Sequence, residues 1–230
     1  MDATLRQHML DYYNERAPEY EEAYTLGTGT ASITDPGVFT TEAAVLAAIV
    51  RRFAKGRVMD LACGTGYWLP HYAASASSIA LFDQSEKMLD ECRKKIDRYD
   101  LRDRVTLLKG DVFEHEFDTG AYDSVLVGFL FSHLTESQEA SAFLALRKML
   151  GTTGHFLILD SAWSAERAKA NDKVGRQERR LNDGTRFEVY KRYFDREDVL
   201  GWATRYETQL SVEHFGTGFF AVTGCFDPGH

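Results

Sequence analysis

The stretch RVMDLACGTG, Arg57 to Gly66, decides how the rest of this chain is read. Val58, Met59, Leu61 and Ala62 form the short apolar run of a fully buried parallel strand, and Gly64 and Gly66 permit a tight turn with close backbone approach. Beyond the turn, YWLPHYAASA can start a helix whose exposed N–H groups point back over the glycines. A strand running into such a turn predicts a cofactor site.

The turn also narrows the cofactor. A dinucleotide fingerprint requires a third glycine three positions after the second, and Leu69 stands there. Asp60, at the end of the strand, repels a pyrophosphate and suits the ammonium of a zwitterion; S-adenosylmethionine carries that ammonium and no phosphate. With these residues in view, DLACGTG resembles the first motif of class I S-adenosylmethionine-dependent methyltransferases. The resemblance implies S-adenosyl-L-methionine as cofactor, held in part by Asp60, Ala62, Cys63, Gly64 and Gly66. It covers roughly Thr40 to Asp160 with good motif agreement and the remainder in outline.

Downstream, SSIALFD (77–83) is a second apolar run ending in an acid, followed by a helix with Leu89, Cys92, Ile96 and Tyr99 on one face and Ser85 as its N-cap. Asp83 lies 17 residues past Gly66, where a carboxylate accepts both ribose hydroxyls or else serves as a solvated cap. Because DQSEKML follows the family pattern, the resemblance favours the ribose and adds Gln84 and Met88. A third run, from Val105 to Leu108, leads to Asp111 and Val112, the family position that contacts adenine; a loop aspartate capping its own turn is the alternative. Asp123 opens a fourth strand, SVLVGFLF, whose Gly128 and Phe129 belong to the implied cofactor wall. Thr135 and Gln138 make a capping box for EASAFLALRKML, and HFLILD forms a fifth strand. Alternating strands and helices predict an α/β fold with a doubly wound sheet, seven-stranded and mostly parallel by the resemblance, closed by an antiparallel C-terminal hairpin (209–226).

Upstream, Thr4 to Tyr24 is helix-compatible, with Pro18 starting a second helical piece. Its tyrosines either pack the segment onto the domain or make it a lid. YNERAPEY (13–20) is similar to the tyrosine-bearing N-terminal segment of many small-molecule methyltransferases, which implies that Tyr20 reaches the methionine carboxylate. Leu26 to Gly37 reads as a loop and Phe39 to Phe53 as a helix. From Ser164 to Tyr206 the chain carries 11 Lys and Arg against 8 Asp and Glu, and Asn182-Asp183-Gly184 predicts a hairpin laid over the sheet's edge. Arg179, Arg180, Arg186, Lys191 and Arg192 can neutralise an anionic substrate or form a solvated face, with at most half of them pointing inward.

Chain length and 44% hydrophobic content suit a single domain over 1–230: a lid segment (1–38), a cofactor core (40–160), a substrate-side insert (161–206) and the closing hairpin (207–230). A net charge of −8 argues against a nucleic-acid or membrane partner and for a small molecule, which the basic insert allows to be an anion. Cys63, Cys92 and Cys225 are too scattered for a disulfide framework or a metal site; no metal and a cytoplasmic setting are expected. Methyl transfer from a sulfonium needs mainly alignment, with a base as an addition. His133, just past the fourth strand, is the candidate base, since an imidazole with an ordinary pKa near 6.5 suits a deprotonation at neutral pH; packing or capping of the next helix is the alternative. Tyr13, Trp163, Arg180 and Tyr190 are substrate-side candidates, with Asp160 a weaker one. The implied activity is methylation of an oxygen or nitrogen on a small metabolite or natural product. A protein or nucleic-acid methyltransferase, or a cofactor-binding protein of other activity, are the alternatives. VGFLFSHL lacks the proline-rich motif of base amino methylation.

Overall fold

The computed structural model describes residues 3–25, 35 and 37–227. The predicted loop from Leu26 to Gly37 lies outside them except at its last positions. Helix α1 (Ala3–Arg16) runs into a 3-10 turn at Ala17–Glu19 that Pro18 opens, then into the single turn α2 (Glu22–Thr25). The core follows as α3 (Gly37–Phe53), β1 (Gly56–Leu61), α4 (Leu69–Tyr72), β2 (Ala76–Asp83), α5 (Glu86–Arg98), β3 (Val105–Lys109), β4 (Ser124–Gly128), α6 (Glu136–Leu150) and β5 (His155–Ser161). A hairpin, β6 (Val174–Arg180) and β7 (Arg186–Arg192), precedes α7 (Arg196–Tyr206), β8 (Thr208–Phe215) and β9 (Phe219–Phe226).

The main sheet runs β3-β2-β1-β4-β5-β9-β8. Its first five strands are parallel, β9 is antiparallel to β5, and β8 is antiparallel to β9. Successive side chains of a strand leave by opposite faces, so Val58 joins Leu46, Val50, Leu81 and Leu157 beneath α3 to α5. Met59 and Leu61 join Val127, Phe143, Leu146 and Trp202 beneath α6 and α7. Strand order reverses beside β1, between β2 and β4, and a crevice outside the carboxyl ends at such a switch point is where ligands bind in doubly wound sheets.

Two local expectations are corrected. The helix after the glycine turn is only the four residues of α4. Gly64 and Gly66 sit at φ +55° and +70° and hold the chain in turns as far as Trp68, so few residues remain before β2. The β6–β7 hairpin forms a two-stranded sheet of its own rather than lying over the sheet's edge. Its inner face packs Leu181 and Val189 on Met9 and Tyr12 of α1, and β7 meets the 3-10 turn Phe131–His133 at the carboxyl end of β4.

The predicted capping box of α6 is present, with Thr135 Oγ1 accepting from Gln138 N and the Gln138 side chain accepting from Thr135 N. Thr135→Ala is expected to destabilise the protein by about 0.5–2 kcal/mol in urea unfolding. An unchanged unfolding midpoint would show that the box adds nothing to stability.

Candidate active site

The carboxyl ends of β1, β2 and β4 open onto a cavity roofed by the N-terminal segment. Its wall includes Ala62, Gly64, Asp83, Gln84, Met88, Asp111, Val112, Gly128 and Phe129, all read from the sequence, together with Phe82, Gly110, Phe113 and Leu130, which were not. Ala62 and Phe129, at matching strand ends, hold left-handed backbone at φ +55° and +59°. Non-glycine residues in that region persist where surrounding structure over-determines them, commonly at functional sites.

Asp83 ties the site together. Its Oδ2 accepts from Gly64 N and its Oδ1 from Ser85 N, each at 2.9 Å. Burial raises its pKa against the lowering pull of these backbone donors. An ionised carboxylate has about four acceptor positions, so capacity remains for two hydroxyl donors. Ser85 caps α5 by accepting from Met88 N (3.2 Å) and donates its hydroxyl to Asn14 Oδ1 (2.6 Å), which pins α1 beside the cavity. Asp111 does both things read for it: Oδ1 accepts from Phe113 N (2.8 Å) as a turn cap, and the residue also lines the wall.

Three members of the first motif face elsewhere. Asp60 is 1% exposed and lies outside the wall, its Oδ2 accepting from Tyr72 Oη at 2.9 Å. Among the described residues its Oδ1 has no partner. Burial, with Asp83 adding repulsion against the Tyr72 hydrogen bond, pushes its pKa up to about 7. Cys63 sits behind the loop with Sγ 3.9 Å from Cys92 Sγ, and a side chain at Gly66 would meet Cys92 Sγ at 3.1 Å. The turn is therefore shaped by Cys63 and Gly66 and presented by Ala62 and Gly64.

The roof comes from α1 and the turn after it, through Arg6, Met9, Tyr13 and Tyr20. Tyr20 overlies Gly64, where a Cβ would meet the ring at 3.6 Å, and burial pushes its pKa up to about 12. The segment is held down by Glu21, which accepts from Thr65 Oγ1 and pairs with Lys95, each at 2.7 Å. At the far end His133 Nδ1 lies 2.8 Å from the carbonyl of Tyr190, and Nε2 lies 2.6 Å from the Tyr13 hydroxyl. A carbonyl only accepts, so Nδ1 carries the proton and Nε2 accepts from Tyr13. Burial, with repulsion from Lys191, lowers the His133 pKa well below its ordinary 6.5, so the imidazole is neutral.

Tyr13, Tyr20, Phe129 and His133 also line a second chamber, whose other walls carry Arg16, Arg167, Arg179 and Lys191 and the rings of Tyr12, Tyr24, Tyr193 and Phe219. Strand parity sorts the basic hairpin. Arg179 and Lys191 face in, Arg180 faces solvent, Arg186 pairs with Glu178 at 3.2 Å, and Arg192 with Glu139 at 3.1 Å. Arg180 and Tyr190 were thus expected at positions one residue off the inward face, and Tyr190 touches the site only through its carbonyl. Trp163 lies behind the chamber, with its ring 5.8 Å from that of Tyr193. Asp160 is fully buried, accepts from Ser132 N (2.9 Å) and Ser161 N (2.6 Å), and lies outside both walls. Arg16 and Arg167 went unread, since nothing local marks a lone arginine as inward-facing; for Arg179 the signal was parity with Lys191. Among the described residues no His, Cys, Asp and Glu cluster could hold a metal, and no helix is long and apolar enough to cross a membrane.

A family model described as a methyltransferase domain matches residues 58–154. The demethylmenaquinone methyltransferase of Lactiplantibacillus plantarum is 29% identical over 90 residues, 38% of either chain. An uncharacterized methyltransferase of Oceanobacillus iheyensis is 22% identical over 167 residues, 73% of either chain. Among solved structures, DhpI with SAH matches with TM-score 0.78 at 23% identity over the whole of both chains. The complex of DhpI with SAM and HEP matches with TM-score 0.76 at 24% identity over 97% of this chain and 99% of that one. Residues 58–154 thus match a methyltransferase domain, and the chain as a whole has the fold of the DhpI structures.

The wall fits S-adenosylmethionine. Its lining includes the half-buried carboxylate of Asp83, with acceptor capacity left over, and Asp111 and Val112, and it needs no phosphate cradle. Asp83→Ala is expected to weaken S-adenosylhomocysteine binding by about 1.5–3 kcal/mol, the range for hydrogen bonds to a charged group. Equal affinity in a folded variant by calorimetry would remove Asp83 from the site.

Proposed function

We propose that the protein transfers the methyl group of S-adenosylmethionine to an oxygen or nitrogen of a small molecule. The observation that carries this reading is the meeting of two chambers at Tyr13, Tyr20, Phe129 and His133, one at the switch point with Asp83 in its wall and the other open to an acceptor. When bound, the cofactor supplies an already activated methyl electrophile. In this reading Asp83 accepts the ribose hydroxyls, with Gln84 and Met88 beside it. Asp111 and Val112 hold the adenine, Tyr20 reaches the methionine carboxylate, and Gly128 and Phe129 form the wall beside the acceptor chamber.

The chain's own work is alignment, exclusion of water and disposal of one proton. The roof formed by α1 covers the site, and closure of this kind strengthens every electrostatic interaction inside. His133 is neutral with Nε2 unprotonated and accepting from Tyr13, so it can receive the proton of the acceptor through the Tyr13 hydroxyl as the new bond forms. Burial, reinforced by the surrounding cations, makes it a weak base but keeps it unprotonated at neutral pH. This changes the expected pH profile. With a folded pKa well below 6.5, His133 is already deprotonated near neutrality, so turnover shows no rise through an imidazole titration around pH 6.5.

His133→Ala is expected to lower turnover by roughly 10²–10⁴-fold while leaving S-adenosylhomocysteine affinity nearly intact. Turnover is read as S-adenosylhomocysteine release together with a one-methyl mass gain on the acceptor. A variant that is merely less stable, with near-normal turnover, would assign His133 to packing and leave catalysis to alignment alone.

A further inference from the structure

The second chamber is distinguished by its charge. Four cations enter it from four elements: Arg16 from the end of α1, Arg167 from the 3-10 turn after β5, Arg179 from β6 and Lys191 from β7. Arg16, Arg167 and Lys191 are only 9%, 3% and 7% exposed. Among the described residues no Asp or Glu lines the chamber. The nearest counter-charge is Asp160, whose Oδ1 lies 4.0 Å from Lys191 Nζ. Among the described residues no carboxylate is within ion-pair distance of Arg16 or Arg179; Arg16 donates to Tyr12 Oη, and Arg179 to Gln177 Oε1 (2.9 Å) and the carbonyl of Glu178 (3.3 Å).

Burying like charges together is costly unless something negative joins them. The strain registers on Lys191, which burial and the repulsion of Arg179, Arg167 and Arg16 bring down to about 7 against the opposing pull of Asp160. Lys191 is nonetheless held in place, donating to Ser132 Oγ at 2.6 Å. With Asp160 offsetting Lys191, Arg16 and Arg179 remain without a carboxylate at ion-pair distance among the described residues, and two such cations suit two negative charges better than one. Four cations carried by four different elements suit a particular shape. A planar carboxylate is met by one arginine in a two-pronged clamp, whereas donors arriving from several sides match the oxygens of a tetrahedral group.

We propose that this chamber binds the dianionic head of a small organic phosphate or phosphonate, making such a molecule the methyl acceptor. The assignment as acceptor rests on the neighbouring cavity being the methyl-donor site; the anion site itself does not. The head is held among Arg16, Arg167, Arg179 and Lys191, and the rest of the molecule extends past Tyr13 and His133 toward the donor.

The test is calorimetry on the full chain with methyl phosphate, methylphosphonate and acetate, each with and without S-adenosylhomocysteine. Methyl phosphate or methylphosphonate should bind at least about tenfold more tightly than acetate, and the tighter of the two identifies the linkage. Arg179→Gln, at the half-buried rim, and Arg16→Gln should each weaken that binding by about 10- to 100-fold, the worth of a hydrogen bond to a charged group. Acetate binding as tightly as methylphosphonate, or a folded Arg179→Gln protein with unchanged affinity, would overturn the site. Binding of S-adenosylhomocysteine without either phosphorus anion would sink this inference alone. The reverse pattern would keep the anion site and sink the methyl-donor reading.

Discussion

The buried carboxylate of Asp160 is the constraint on which both chambers depend. It stands at the carboxyl end of β5 with no exposure, and accepts from the backbone N–H groups of Ser132 and Ser161. Its third neighbour, Lys191, approaches from the hairpin at 4.0 Å. One charge thereby joins the sheet, the turn that carries His133, and the strand that closes the second chamber. A carboxylate this deep is tolerated only when donors surround it. Those donors fix the Phe131–His133 turn, and the turn fixes where the imidazole meets Tyr13.

The hairpin and the N-terminal helix complete the site in the same way, by filling each other's requirements. Neither belongs to the main sheet. Leu181 and Val189 on one side and Met9 and Tyr12 on the other share a small apolar cluster. Asn182, at the tip, binds Glu19 and Glu22 of the N-terminal segment. A solvated hairpin would be marginal alone; against α1 it becomes a wall, and α1 in turn becomes a roof over the carboxyl ends of β1 and β2.

The parts of this arrangement that were legible in the sequence are those governed by short-range physics. Apolar runs marked the strands, Ser85 and Thr135 marked helix starts, and the acids Asp83 and Asp111 after strands marked the wall of the cavity at the sheet's carboxyl ends. What escaped depends on contacts between distant segments. Asp60 has the residue type for an ammonium partner, yet its hydroxyl partner Tyr72 draws the carboxyl beneath the loop. Arg180 and Arg179 are equivalent by composition, and only the pairing of β6 with β7, which packs on α1, decides which of them faces inward. The ordinary pKa assumed for His133 failed for the same reason: the cations and the burial that lower it come from elements far along the chain.

The central claim is that the cavity beside β1 takes a zwitterionic methyl donor rather than a dinucleotide. Side-by-side calorimetric titration of the purified protein with S-adenosylhomocysteine, NAD and NADP tests it most directly. The account predicts saturable one-site binding of S-adenosylhomocysteine and no measurable heat of binding from either dinucleotide. Tight binding of NAD or NADP with no response to S-adenosylhomocysteine would contradict it.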